Sequence, residues 1–120
     1  MGKKTLILGA TTNSDRFAWK AAERLTRYQH EIVPVGIKTG EVFGKEILKG
    51  QPKVENLDTV TLYIGPDKQP YYYDYIIDLK PKRVIFNPGT ENDEFMDLLE
   101  KYNIEVVEGC TLVMLGTGQF

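Results

Sequence analysis

Apolar residues fall in short runs that stop at glycine or proline, separated by stretches where they recur every three or four positions. Thr5-Leu6-Ile7-Leu8 is such a run, ending at Gly9, and predicts a buried strand. Asn13, Ser14 and Asp15 are helix-starting residues, and Phe17, Trp19, Ala21, Ala22, Leu25 and Tyr28 continue as an apolar stripe, predicting a helix to Tyr28. His30-Glu31-Ile32-Val33-Pro34-Val35 predicts a second strand, with Pro34 near its end or where its missing amide goes unpaired. From Gly36 to Asp58 the pattern is weak and broken by Gly40, Gly44 and Gly50, which predicts a loop with at most one short turn of helix. Thr59 to Ile64 predicts a third strand closed by Gly65-Pro66. A helix follows over Tyr72, Tyr73, Ile76, Ile77 and Leu79, ended by Pro81. Arg83-Val84-Ile85-Phe86 is the fourth strand, Asn92 to Tyr102 the next helix and Ile104 to Val107 the fifth strand; Leu112 to Leu115 reads as a sixth short piece or a terminal arm.

Strands alternating with helices or long crossovers predict an α/β fold. The expected form is one Rossmann-like three-layer domain over residues 1–120, built on a parallel five-stranded sheet with right-handed crossovers. Ligands of such folds bind beyond the carboxyl ends of the strands, so the residues just after each strand are the ones to weigh.

Composition narrows the classes. At 120 residues, 42% hydrophobic and 27% charged, the chain has the length of one domain and the balance of a folded one. A formal charge of −2 gives no bulk basic character for nucleic acid, yet leaves room for a small anion, which responds to a few local charges and aimed amides. No apolar run approaches the roughly 20 residues that cross a bilayer. The apolar stretch before Gly9 is too short for a signal peptide, so no membrane partner and a cytoplasmic location are expected. Cys110 is the only cysteine and His30 the only histidine, which excludes an internal disulfide and predicts no metal cluster. Tyr71-Tyr72-Tyr73-Asp74-Tyr75 could stack bases, but its helical pattern and few neighbouring cations favour packing. Trp19 reads as a core or interface residue, and joint exposure with the tyrosines would point to a homo-oligomer.

The strand ends carry the chemistry. After the first strand come Gly9-Ala10-Thr11-Thr12-Asn13-Ser14-Asp15-Arg16: a glycine for a tight turn, hydroxyls at Thr11, Thr12 and Ser14, and a fixed cation at Arg16. A helix start with these groups can hold a phosphate; equally, the segment can be a plain strand-to-helix turn capped by Ser14 or Asn13. The full G-x-G-x-x-G pattern and a P-loop lysine are both absent. After the second strand a dinucleotide site usually has an acid for the ribose, whereas this chain has Val33-Pro34-Val35-Gly36-Ile37-Lys38. An apolar shelf followed by lysine suits a flat base with a phosphate better than NAD, unless Lys38 is merely solvated.

In this succession the chain resembles the small CoA-binding domain family, related to the CoA-binding domain of the succinyl-CoA synthetase α subunit. The resemblance rests on Gly9-Ala10-Thr11, Arg16, His30 to Val35 leading to Lys38, Leu57, Asn87-Pro88-Gly89, and Val106-Val107-Glu108-Gly109-Cys110. It implies binding of coenzyme A or an acyl-CoA, a small nucleotide ligand. By that resemblance Gly9, Thr11, Thr12, Asn13, Ser14 and Arg16 hold phosphates and Lys38 meets phosphate at the adenosine end. Pro34, Val35, Tyr63, Ile64 and Gly65 border adenine and ribose, and Phe86, Asn87 and Pro88 line the pantetheine path. The chain departs from the family pattern at Thr11 and Ala18, where serine is frequent, at Gly36-Ile37 in place of asparagine-proline, and at Thr111 in place of proline.

No catalytic residue stands out. The related synthetases need a phosphorylated histidine and an ATP-binding partner domain, but His30 opens the second strand, at the end away from the expected crevice. Cys110 has no visible base or cation to activate it, so it reads as packing, with a mixed disulfide to a pantetheine thiol as the minor reading. The expected function is noncatalytic binding of CoA or an acyl-CoA as a carrier, sensor or regulatory module, alone, as a homo-oligomer or beside an acyl-CoA enzyme. The alternatives are an NAD(P)-binding or acyl-CoA-linked enzyme, and a ligand-free interaction module of the same fold.

Overall fold

The computed structural model describes residues 2–120. Strand β1 (Thr5–Leu8) leads to helix α1 (Phe17–Arg27), strand β2 (Ile32–Val35), and two short strands β3 (Glu41–Val42) and β4 (Lys45–Glu46). Strand β5 (Thr59–Leu62) is followed by two 3-10 turns, Pro66–Lys68 and Pro70–Tyr72, and helix α2 (Tyr73–Leu79). Strand β6 (Arg83–Phe86), helix α3 (Asp93–Lys101), strand β7 (Glu105–Glu108) and helix α4 (Thr111–Gly116) complete it.

The main sheet runs β2-β1-β5-β6-β7, every pair parallel, with Thr5 opposite both Ile32 and Thr59. Each strand of TLIL, TVTL and RVIF is buried along its whole length, as a sheet covered on both faces requires. Alternation divides the core in two. Leu6, Leu8, Val60, Leu62, Val84 and Phe86 pack with Ile76 of α2 and Phe95 and Leu99 of α3. Ile7 faces the other way, toward Ala18, Ala21, Ala22 and Leu25 of α1 and Leu115 of α4. The alanines let α1 lie close on the sheet, and the layers are helix, sheet, helix. This is the predicted Rossmann-like α/β architecture. The chain builds leftward from β1 to β2 and rightward from β1 to β5, so the sheet order reverses between β1 and β5.

Three expectations change. The stretch from Gly36 to Asp58, expected as a loop with at most one short turn of helix, holds instead an antiparallel hairpin, β3 against β4. Its Phe43-Gly44 turn places both residues at positive φ (49° and 82°), as two-residue hairpin loops demand, and seats Phe43 against Trp19, ring centroids 5.0 Å apart. Leu112 to Leu115 is neither strand nor arm but lies in α4, whose Leu115 closes the α1 side of the core. The caps offered by Asn13 and Ser14 are not used by α1, which starts one turn later with Arg16 in the cap position and no side-chain cap. Pro34 sits on the edge strand β2, where its carbonyl accepts from the Leu48 amide and its missing donor faces outward. At the other margin β7 is only half-covered, with Glu105 and Glu108 exposed.

Candidate functional site

The ends of β1, β2 and β5 approach so closely that side chains are excluded between them. Gly9 has φ +102°, and its amide and that of Ala10 both donate to the Val35 carbonyl at 2.9 Å. A Cβ on Gly9 would stand 2.9 Å from the Tyr63 carbonyl oxygen and 3.0 Å from Ile64 Cγ2. At Gly36 a Cβ would meet the Ala10 carbonyl oxygen at 2.3 Å. Gly36 is therefore required by backbone contact between the first two strand ends.

Beyond Gly9 the chain turns on its own polar groups. Thr11 Oγ1 accepts from the Asn13 amide at 3.1 Å, and Asn13 Oδ1 accepts from the Asp15 amide at 3.0 Å. These turns bring Arg16 to the start of α1, where the Trp19 and Lys20 amides donate to its carbonyl. The Phe17 and Ala18 amides have no acceptor among the described residues at the positive end of the helix, whose first turn holds no acid. Thr12, Asn13, Ser14 and Arg16 are exposed around that end, with Asp15 among them. Lys38 is exposed three residues beyond the β2 strand end, and neither it nor Arg16 joins an ion pair among the described residues. The β3–β4 segment borders this ledge, for a Cβ on Gly40 would lie 2.5 Å from Thr12 Cγ2.

Other predicted residues face inward. Pro34 and Val35 are buried, and the apolar residue that β2 sends to the crest is Ile37, 81% exposed. Tyr63 turns into the α1–α4 layer, its hydroxyl near Thr61, Thr111 and Cys110, and burial first of all pushes its pKa up to about 12. Ile64 and Gly65 are half-buried at the same strand end. Phe86 is buried edge-on against Phe95, centroids 5.7 Å apart. Asn87, 2% exposed, donates from Nδ2 to Thr61 Oγ1 at 2.7 Å and to the Leu62 carbonyl at 2.8 Å, while its Oδ1 accepts from the Thr111 amide at 2.9 Å. Its side chain is engaged within the protein, joining β5, β6 and the start of α4. Of Phe86, Asn87 and Pro88, only Pro88 is exposed.

The sequence reading missed two other residues that shape the crest. Gln69, fully buried, donates from Nε2 to the Ile64 and Thr90 carbonyls and accepts from Asn92 Nδ2 at 2.9 Å. Asn92 also caps α3 through the Phe95 amide. These amides lace the β5 and β6 ends together, leaving the β1–β2 side as the open part of the crest. A glutamine between two prolines carried a signal only as a turn. Charge divides the same way: ten of the fifteen Lys and Arg lie at or before Lys53, and ten of the seventeen Asp and Glu lie at or after Asp67. Arg16 and Lys38 thus follow β1 and β2, whereas Asp67, Glu91 and Glu108 stand at the ends of β5, β6 and β7.

Two grooves lie away from the crest. One, about 400 Å³, is lined by Tyr73, Glu94, Asp97, Leu98 and Lys101 on α2 and α3, and its carboxylates disfavour an anion. The other, about 450 Å³, follows the outer edge of β2 with a mixed rim of lysines and glutamates. No His/Cys/Asp/Glu cluster among the described residues could hold a metal, and no helix is long and apolar enough to cross a membrane. Cys110 is half-exposed in the cap position of α4 and is joined to no base by a hydrogen bond among the described residues. His30 lies at the opposite end of the sheet, its Nδ1 accepting from the Lys3 amide at 2.8 Å.

A family model described as a CoA binding domain matches residues 3–116, nearly the whole chain. The chain belongs to the CoA-binding domain family. A solved structure described only as an uncharacterized protein is 58% identical with a TM-score of 0.98, covering 100% of this chain and 99% of its own. A Thermus thermophilus protein is 21% identical with a TM-score of 0.88, covering 99% of this chain and 91% of its own. A hypothetical protein from Pyrococcus horikoshii OT3 is 22% identical with a TM-score of 0.88, covering 97% and 83%. The latter two share the fold. No curated protein matches. The β1–β2 ledge carries donors of the kind a phosphate takes: helix-start amides, hydroxyls and, at Arg16 and Lys38, two cations in no ion pair among the described residues.

Proposed function

We propose that this CoA-binding domain holds coenzyme A or an acyl-CoA at the open β1–β2 side of the crest, and that it acts without catalysis, as a carrier, sensor or regulatory module. One observation carries the reading: Arg16 and the Phe17 and Ala18 amides follow β1, the strand beside which the sheet order reverses, and Lys38 follows its neighbour β2, with neither cation in an ion pair among the described residues. Thr12, Ser14 and the α1 amides hold the phosphates with Arg16, and Lys38 meets phosphate at the adenosine end. The buried Pro34 and Val35 form the floor, with Ile37 and the β5 end at Ile64-Gly65 offering the apolar surface for adenine. Pro88 is the part of the β6 end that faces the pantetheine arm.

A binding role is favoured over chemistry by the titratable groups. Tyr63, held at about 12, keeps its proton near neutral pH. Cys110 lacks a base, and the histidine is at the far end of the sheet. Calorimetry with CoA, dephospho-CoA and NAD tests the assignment. CoA is expected to bind most tightly; equal affinity for all three overturns the role of Lys38, and no binding of any removes the ligand assignment altogether. Native mass spectrometry of freshly purified protein provides an independent check, because a retained ligand identifies itself by mass.

A further inference from the structure

At the foot of the sheet, opposite the crest, one aromatic ring is enclosed by three basic side chains. Phe120 folds back beneath α4, the Gln119 amide donating to the Met114 carbonyl at 2.8 Å. Its ring centroid lies 4.4 Å from the Arg83 guanidinium, 4.8 Å from the His30 ring and 5.6 Å from Lys3 Nζ. Lys3 holds both neighbours at once: its amide donates to His30 Nδ1 at 2.8 Å, and its Nζ donates to the Phe120 carbonyl. The first bond requires a bare Nδ1 lone pair.

One buried donor in the arrangement is left without a partner. Arg83 is 92% buried, yet its Nη2 has no hydrogen-bond partner among the described residues; Nε alone is satisfied, by Thr59 Oγ1 at 2.9 Å. The ring lies against this guanidinium and gives it a cation–π contact. Asp58 is the facing carboxylate; it accepts from Thr59 Oγ1, lies 3.8 Å from Lys82 Nζ and favours a proton on His30, against the larger opposing effects of desolvation, Lys3 and Arg83. Glu105 faces Arg83 from β7.

We propose that His30 and Phe120 form a proton-operated latch, in which a proton taken from solvent onto His30 Nδ1 unseats the segment 117–120 from the foot of the sheet. Protonation removes the acceptor of the Lys3 amide and sets an N–H against it. It also puts a third cation beside Lys3 and Arg83. Lys3 then loses the seat from which it grips the Phe120 carbonyl, and departure of the ring lets water reach Arg83 Nη2. Desolvation, followed by the charges of Lys3 and Arg83, holds the His30 pKa below 6.5, in keeping with a latch that is closed at neutral pH.

Because His30 is the only histidine, its imidazole gives a single nuclear magnetic resonance titration that can be compared directly with the tail. The Phe120 ring signals and the Gln119 amide should follow the same midpoint as His30. Exchange of the Gln119 amide, corrected for its intrinsic rate, should quicken by about tenfold or more on the acid side. His30→Asn keeps an acceptor near the Nδ1 position but cannot titrate, so its tail should stay seated over the whole range. In Phe120→Ala the His30 midpoint should rise toward 6.5 with Gln119 exchanging fast at every pH. A tail that stays flat while His30 titrates overturns the latch, as does a pH response that persists in His30→Asn or a midpoint that does not move in Phe120→Ala.

Discussion

Two kinds of polar residue stand at the crest, and they answer differently to substitution. Arg16 and Lys38 are exposed and in no ion pair among the described residues, so removing either leaves the core intact and, on the proposed function, takes one charged contact from a phosphate. Arg16→Ala and Lys38→Ala are each expected to weaken CoA binding by about 1–3 kcal/mol, read by calorimetry, with an unchanged thermal midpoint in the absence of ligand. Asn87 is the reverse case. Truncation to alanine strands the Leu62 carbonyl and the Thr111 amide inside the protein, and Asn87→Ala should cost about 2–4 kcal/mol of stability in chemical denaturation. In the sequence it was the resemblance to the family that implied a place for it on the pantetheine path. Residue type and place cannot distinguish a side chain that meets a ligand from one that fastens the loop beneath it.

At the scale of elements, the strands that form the centre of the sheet were legible because TLIL, TVTL and RVIF are compact apolar runs with glycine or proline close behind. The hairpin was not, since β3 and β4 contribute two residues each and no period can be read from two residues. Its fold depends on tertiary support instead, with Val42 and Ile47 buried and Phe43 on Trp19. Helix α4 was ambiguous because Leu112-Val113-Met114-Leu115 suits either a strand or a short helix, and the Asn87 clamp on Thr111 supplies the decision from a distant element. The close joint between the β1 and β2 ends leads to another test. Gly36→Ala should destabilise the protein by about 1–3 kcal/mol and weaken CoA binding together, because the Cβ must push the Ala10 carbonyl away from the ledge. A variant that binds normally and melts normally would show that the joint can open without consequence.

For the whole molecule, titration sets the pH range of full stability. His30 has its folded pKa lowered, chiefly by desolvation, so the folded state binds fewer protons than the unfolded one on the acid side. Its contribution is complete above about 6.5 and is lost as pH falls through the lower folded value. Tyr63 and Tyr75 have folded pKa values pushed up to about 12, each mainly by desolvation, against 10 for the free phenol. Their contribution is complete below 10 and is lost as pH rises toward 12. Denaturation free energies across pH should therefore form a plateau between these limits. His30→Asn should flatten the acid side, and Tyr63→Phe should soften the alkaline side.

The open margin of the sheet at β7 has a consequence for crowded solutions. A parallel strand with one bare flank is a template on which a second copy could add its own. Glu105 and Glu108 meet any newcomer at both ends of that flank, so two copies approaching through this strand bring acid against acid. Electrostatic repulsion along that border is expected to oppose fibre-like stacking, and to weaken wherever those glutamates are neutralised.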